Sequence, residues 1–299
     1  MWKAEGIIPA MVTPFDEREE LNEQALKTMT KRFVDAGVHG LFCLGTNGEF
    51  YALSFDEKIR IAEAIVEEAA GAVPVYVGAG CVTTRETVEL ARRLEVAGAD
   101  ALSVITPYFL SFTQAELIRH YRTIAEATSL PIILYNIPAR TSNALTPKTV
   151  AELASVPNIV GIKDSSGSFD NIQQYLEVTP SDFAVLAGTD SLILPTLMAG
   201  GKGAIAATAN VFPEVLVSIY ERWRNGDYAG AEQAQRHLRA LRSAFSLGTL
   251  PSVLKHVLNE IGVPAGPTRA PVDPLTPQAA ESVKEMIEQY RKTGVLTHA

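Results

Sequence analysis

The chain has 299 residues, 47% hydrophobic and 20% charged, which suits one large domain or a barrel with an appendage and excludes a disordered or fibrous protein. Its 26 Lys and Arg against 34 Asp and Glu leave a net charge of -8, which argues against a nucleic-acid partner or an anionic membrane surface and points to small metabolites. Two cysteines inside apolar runs (Cys43, Cys81), five scattered histidines (His39, His120, His237, His256, His298), no bilayer-length apolar run and no signal-peptide core in Met1 to Gly6 predict no disulfide framework, no metal site, no membrane span and a cytoplasmic setting.

Short apolar runs alternate with longer amphipathic ones from the N-terminus onward. Strands are expected over 7–12, 41–44, 73–77, 101–105, 131–135, the run ending at 163, 183–187 and 204–207. Helices are expected over 22–36, 55–70, 85–97, 114–127, 147–154, 169–176 and 192–199, so every strand but the last is followed by one. Ala36-Gly37, Ala97-Gly98 and Ala199-Gly200-Gly201 stand before strands and read as helix stops.

Strands that alternate with helices imply a parallel sheet, and eight such units match a (β/α)8 TIM barrel, which takes ~250 residues with its connections. A doubly wound sheet is the rival, but the first strand is followed by Val12-Thr13-Pro14-Phe15 instead of a Gly-rich phosphate turn. Gly78-Ala79-Gly80 lacks the third glycine of a dinucleotide fingerprint, and Gly201-Lys202 is no Walker loop. After Val211 only helical patterns remain, over 213–224, 228–245, 251–261 and 276–292. The expected organisation is a barrel over 1–211 with a C-terminal helical appendage, 212–299, packed on it and no flexible linker between them.

Active sites of such barrels form at the C-terminal strand ends, so the last residue of each apolar run carries the information. The run Asn158 to Ile162 ends in Lys163, where desolvation would disfavour the ammonium and free an amine as a nucleophile. Tyr135 ends the neighbouring strand and would bring a phenol beside that amine to pass protons. Gly45-Thr46-Asn47-Gly48-Glu49 offers backbone and side-chain donors for a carboxylate, and Arg140 offers a planar fork for a second one. Singly, each has a plainer reading: a loop lysine, an amphipathic core tyrosine, a tight turn, a solvated arginine. All of them fall on one rim, and that coincidence favours imine chemistry.

Those segments, with Gly161-Ile162-Lys163-Asp164 and Gly203 to Asn210, resemble in order the signatures of the dihydrodipicolinate synthase and N-acetylneuraminate lyase family, over nearly the whole chain. The resemblance implies a barrel with a helical tail, usually a homotetramer (a dimer of dimers), that acts on a ketoacid and an aldehyde. It implies a carbon-carbon or carbon-oxygen lyase that binds pyruvate as a covalent imine and needs no dissociable cofactor. By motif, Lys163 would be the imine lysine and Tyr135 the proton-transfer phenol. Thr46 and Asn47 would hold the pyruvate carboxylate, and the backbone of Ile205 would lie beside the ketoacid.

Arg140 stands where dihydrodipicolinate synthases grip aspartate semialdehyde. Asn47 and Phe109 depart from the threonine and tyrosine of their proton relay, which is broken unless Tyr108 substitutes. The turn around Asn47, Lys163 to Gly167, and Gly266-Pro267-Thr268-Arg269-Ala270-Pro271 are similar to aldolases acting on 4-hydroxy-2-oxoglutarate and 2-keto-3-deoxy sugar acids. That aldolase is the expected function, with the synthase as alternative. A non-catalytic ketoacid-binding barrel and a pyridoxal-phosphate barrel are further options. Phe50, Phe55 and Val82, where lysine-inhibited synthases have polar residues, predict no inhibition by lysine.

Overall fold

The computed structural model describes residues 3–296, so His298 and the Met1-Trp2 start lie outside the described residues. Eight parallel strands are present: β1 Gly6–Pro9, β2 Leu41–Cys43, β3 Val75–Gly78, β4 Ala101–Ile105, β5 Ile132–Asn136, β6 Ile159–Asp164, β7 Ala184–Ala187 and β8 Gly203–Ala206. They pair in the order β1-β8-β7-β6-β5-β4-β3-β2. A bridge between Ala10 and Phe42, with Met11 N donating to Phe42 O at 2.8 Å, brings the two ends of that order together. The result is a (β/α)8 barrel.

The strands read as continuous apolar runs because both faces are covered. Alternate residues, among them Ile8, Phe42, Tyr76, Ile133, Leu186 and Ile205, fill the barrel interior as one small cluster. The opposite faces join the larger core under the helices. The first strand is shorter than expected, because beyond Pro9 the chain leaves the β8 register and Met11 and Val12 bond to Phe42 and to the Asn210 side chain instead.

The outer helices are α1 Glu23–Asp35, α2 Phe55–Ala69, α3 Thr84–Val96, α4 Gln114–Ala125, α5 Pro138–Thr141, α6 Pro147–Leu153, α7 Phe169–Val178 and α8 Ile193–Met198. Their starts are written locally: Asn22, Ser54, Thr83, Thr113, Thr146 and Ser168 each cap the amide three residues on, which contributes roughly 1 kcal/mol per helix. Ser54 with Glu57 and Thr113 with Glu116 form reciprocal capping boxes. The one-turn α5 and the 3-10 turns Phe50–Ala52, Asp190–Leu192 and Thr208–Asn210, all just past strand ends, were not expected from periodicity.

Four further helices follow: α9 Pro213–Arg224, α10 Tyr228–Ala244, α11 Leu250–Glu260 and α12 Pro277–Lys292. Leu216, Leu241, Leu254 and Val283 place one from each in the same core as the barrel helices. Tyr290 Oη donates to His237 O at 2.6 Å and accepts from Leu241 N at 3.0 Å, tying α12 to α10.

Candidate active site at the carboxyl ends of the strands

Register decides which side chains meet. Tyr135 of β5 pairs with Lys163 of β6, and Lys163 pairs with Leu186 of β7. Lys163 turns toward the barrel axis and is only 4% exposed. Its Nζ lies 4.1 Å from the centroid of the Tyr135 ring and 4.8 Å from that of Phe42, so two aromatic faces cradle the amine. The Tyr135 hydroxyl reaches Thr46 Oγ1 at 3.3 Å. Among the described residues no carboxylate lies within ion-pair distance of Lys163 Nζ.

The next register pair, Asn136 with Asp164, points the other way and locks the two tips from outside. Asn136 Nδ2 donates to Asp164 Oδ2 at 2.7 Å, and Ser166 Oγ donates to Oδ1 at 2.6 Å. Asn136 Oδ1 accepts from Leu145 N at 3.0 Å, while Tyr175 Oη donates to Leu145 O at 2.7 Å. Burial raises the Asp164 carboxyl above its ordinary range, against the pull of its Ser166 and Asn136 hydrogen bonds. This network fixes the spacing of the phenol and the amine without offering the amine a counter-ion.

The turn after β2 carries Thr46 and Asn47. Gly45 is required there, since a Cβ would stand 2.5 Å from the Phe42 ring that faces Lys163. Thr13 Oγ1 donates to Gly48 O at 2.7 Å and pins the turn to the end of β1. Leu44 and Glu49, which bracket the turn, both hold φ values near +56° (57° and 55°), a conformation that costs a side-chain-bearing residue on the order of 1–3 kcal/mol. Phe109 (φ 83°) and Ser142 (φ 58°) also have positive φ in the loops after β4 and β5, so four of the six such non-glycine residues among the described residues stand on one rim. Asn47 is buried beside Thr46, but its amide nitrogen is directed to Ala10 O at 3.4 Å.

Of the remaining expected residues, Ile205 lies in β8 inside the barrel cluster. Arg140 is exposed in the last turn of α5. Tyr108 is half-buried, its ring edge-on to Phe50 at 6.0 Å, and among the described residues its hydroxyl makes no hydrogen bond to Thr46 or Tyr135. Phe109 is 90% exposed. Lys163, Tyr135 and Thr46 are thus brought together, with Asn47 adjacent, while Arg140 and Tyr108 stand on the rim.

Three contributors escaped the sequence. Phe42 reads as an ordinary core residue, and only strand alternation could have aimed it at the amine. Asn143 holds the loop after β4, with Nδ2 donating to Pro107 O at 2.9 Å and Leu110 O at 2.7 Å and Oδ1 accepting from Phe112 N at 2.7 Å. Asp190 holds the β8 tip by accepting from Ala207 N at 3.2 Å and Thr208 N at 2.7 Å. No periodicity marks either residue. Among the described residues no three His, Cys, Asp or Glu side chains group to hold a metal, and no helix is long and apolar enough to cross a membrane.

Fold and site together define a (β/α)8 barrel with a lysine-centred side-chain cluster at the carboxyl ends of its strands. A family model described as the dihydrodipicolinate synthetase family matches residues 3–290, and the chain belongs to that family. It is 42% identical over 298 residues to a 4-hydroxy-tetrahydrodipicolinate synthase of Methanopyrus kandleri, covering 99% of this chain and 98% of that one. An uncharacterized DapA-like lyase of Halobacterium salinarum is 39% identical over 267 residues, 89% of this chain and 88% of that one. Among solved structures, a pyruvate complex of an E. coli K12 prophage protein of the dihydrodipicolinic acid synthase family superposes with TM-score 0.93 at 35% identity, over 96% of this chain and 98% of that one. Dihydrodipicolinate synthase from Thermotoga maritima superposes with TM-score 0.94 at 32% identity, over 99% and 100%. The protein is an enzyme, a lyase of this family.

Proposed function

We propose that the enzyme is a pyruvate-dependent Schiff-base aldolase, probed best with 4-hydroxy-2-oxoglutarate and 2-keto-3-deoxy sugar acids. One observation carries the reading: a nearly buried lysine amine with no counter-ion among the described residues, facing a phenol whose hydroxyl is hydrogen-bonded to a threonine. A buried cation without a carboxylate partner is costly and is retained where the amine itself reacts.

The unprotonated Lys163 amine attacks the ketone carbon of pyruvate, and the former carbonyl oxygen becomes the hydroxyl of a carbinolamine. Tyr135 carries the proton released by the attacking nitrogen to that oxygen and then hands its own proton to the hydroxyl, so that water leaves and an iminium remains beside a phenolate hydrogen-bonded to Thr46. The Tyr135 phenolate takes a methyl proton from the iminium to give an enamine, whose carbon attacks the aldehyde while the restored phenol protonates the new alkoxide. In the cleavage direction the same steps reverse, with the phenolate taking the proton from the hydroxyl that becomes the aldehyde. Backbone N–H groups of the 46–48 turn and the Thr46 hydroxyl hold the carboxylate and fix orientation. No dissociable cofactor enters these steps.

A second reading, 4-hydroxy-tetrahydrodipicolinate synthase joining pyruvate to aspartate semialdehyde, is favoured by the name of the 42% identical relative and by the exposed guanidinium of Arg140 at the rim. Exposed Phe109, Leu110, Tyr51 and Val82 support self-association, to a homotetramer by family likeness, and the cytoplasm suits all of these substrates. Borohydride reduction in the presence of pyruvate should add one reduced pyruvyl mass to the peptide bearing Lys163; no adduct, or an adduct elsewhere, defeats the proposal. Relative turnover on the three substrate types then separates the aldolase from the synthase.

A further inference from the structure

A second buried cation stands behind the turn after β2, and the chemistry above does not use it. Lys255 of α11 is 1% exposed, its Nζ 2.6 Å from Glu49 Oε1 and donating to Pro267 O at 2.6 Å, above the ring of Phe15. Glu49 is wholly buried, and its other oxygen accepts from Arg269 N at 3.0 Å. Arg269 pairs in turn with Glu57 of α2, donates to Ala52 O at 2.9 Å, and holds the Glu57 carboxyl down at about 2 through that hydrogen bond. The segment 266–271 can approach only because Gly266 sits at φ 66°, where a Cβ would stand 1.8 Å from Phe15 O. The Gly-Pro-Thr-Arg-Ala-Pro sequence is therefore a strap that holds the Glu49–Lys255 pair in place.

Glu49 is strained, and strain of that kind persists only where the surroundings over-determine it. An apolar pair of similar volume would hold the core at least as well, so stability alone does not account for buried charges here. What the pair adds is direction. Glu49 N donates to Thr46 O at 3.2 Å, and Thr46 carries the hydroxyl bonded to Tyr135, so a displacement of Glu49 reaches the pocket in two hydrogen bonds.

We infer that Lys255 is a positioning residue that acts through Glu49 to hold the Thr46–Gly48 backbone in the form that receives the substrate carboxylate, so that a helix of the C-terminal region sets ketoacid affinity. This rests on the reading of that turn as the carboxylate holder.

The test is borohydride trapping of pyruvate, read by intact mass against pyruvate concentration, in the wild type, in Glu49→Gln, and in Glu49→Gln/Lys255→Met. The first variant keeps the shape of Glu49, and the second removes both charges and leaves none orphaned. Both should unfold cooperatively, with half-saturating pyruvate raised about threefold in the first and about tenfold in the second. The limiting trapping rate should stay within about twofold, because the amine and phenol are untouched. A purely structural pair would lower the melting temperature and leave half-saturation unchanged. A folded variant with wild-type half-saturation overturns the inference and leaves the Lys163 chemistry standing. Loss of cooperative unfolding in both variants also overturns it, since the pair would then be a requirement of the fold. No trapping in the wild type removes the parent reading and this one together.

Discussion

Lys163 and Lys255 are both nearly excluded from water, and they differ in what their nitrogens meet. Lys255 faces a carboxylate and a carbonyl, and burial pushes its ammonium down to about 8 even against the pull of Glu49. Lys163 faces two aromatic rings at the carboxyl ends of the strands. An amine in a site full of acceptors is spent on geometry, whereas one given only ring faces has no ion pair to break. The difference lies in partners, and burial alone would have classed the two residues together.

Replacing each lysine by methionine breaks the comparison most directly. Lys163→Met should lower turnover by roughly 10⁴-fold or more and abolish the borohydride adduct, with a melting temperature equal to or above the wild type. Lys255→Met leaves Glu49 buried and unpaired, and should cost about 3–5 kcal/mol of stability by denaturant titration. A stable Lys255→Met beside an unstable Lys163→Met would invert the assignment. Tyr135→Phe comes next: it keeps the ring over Lys163 but removes the proton carrier, for a loss of about 10²–10⁴-fold in turnover. Retained activity would shift the proton to another group, with Tyr108 the first to examine.

The sequence made the shared rim of Lys163 and Tyr135 legible because adjacent strands of a barrel end side by side, while each residue alone had a plainer reading. The helices were legible from their amphipathic periodicity and the glycines that stop them, and the Ser, Thr and Asn caps at their starts came from the structure. Glu49–Lys255 was not. Its members stand about 200 positions apart, and each looks solvated in isolation: one ends a turn, the other sits on an amphipathic helix. Asn47 shows the limit within a motif, where the residue type suggested a side-chain donor and the structure directs that amide to Ala10 O. Side-chain direction in a loop depends on backbone angles that periodicity does not carry, and the left-handed Leu44, Glu49, Phe109 and Ser142 are such angles.

A third buried base sharpens the contrast from the side of the proton. His120 of α4 meets Thr84 Oγ1 at 2.9 Å through Nδ1, its buried Nε2 has no hydrogen-bond partner among the described residues, and burial pushes the imidazole down to about 4. Below pH 6.5 the unfolded chain takes up a proton that the folded one refuses until about pH 4. The stability from neutral His120 is thus fully present above pH 6.5 and is lost as the pH falls through that window, by at most about 3 kcal/mol. His120→Gln should flatten the slope of unfolding free energy between pH 6.5 and 4. An unchanged slope would assign the acid sensitivity to other groups.

The smallest expected effect is none. Free lysine brings an ammonium and a carboxylate, and a site for it must supply opposite charges. At the positions in question Phe50 is buried, Phe55 lies under the Arg93 guanidinium at 5.1 Å, and Val82 is an apolar side chain 40% exposed. These residues offer ring and methyl surface, which pairs with neither end of the molecule and would leave both charges desolvated if it were covered. Millimolar lysine should therefore leave the rate within experimental error. Halving of the rate would mean that the polar contacts come from elsewhere, and would reopen the synthase reading that Arg140 keeps alive.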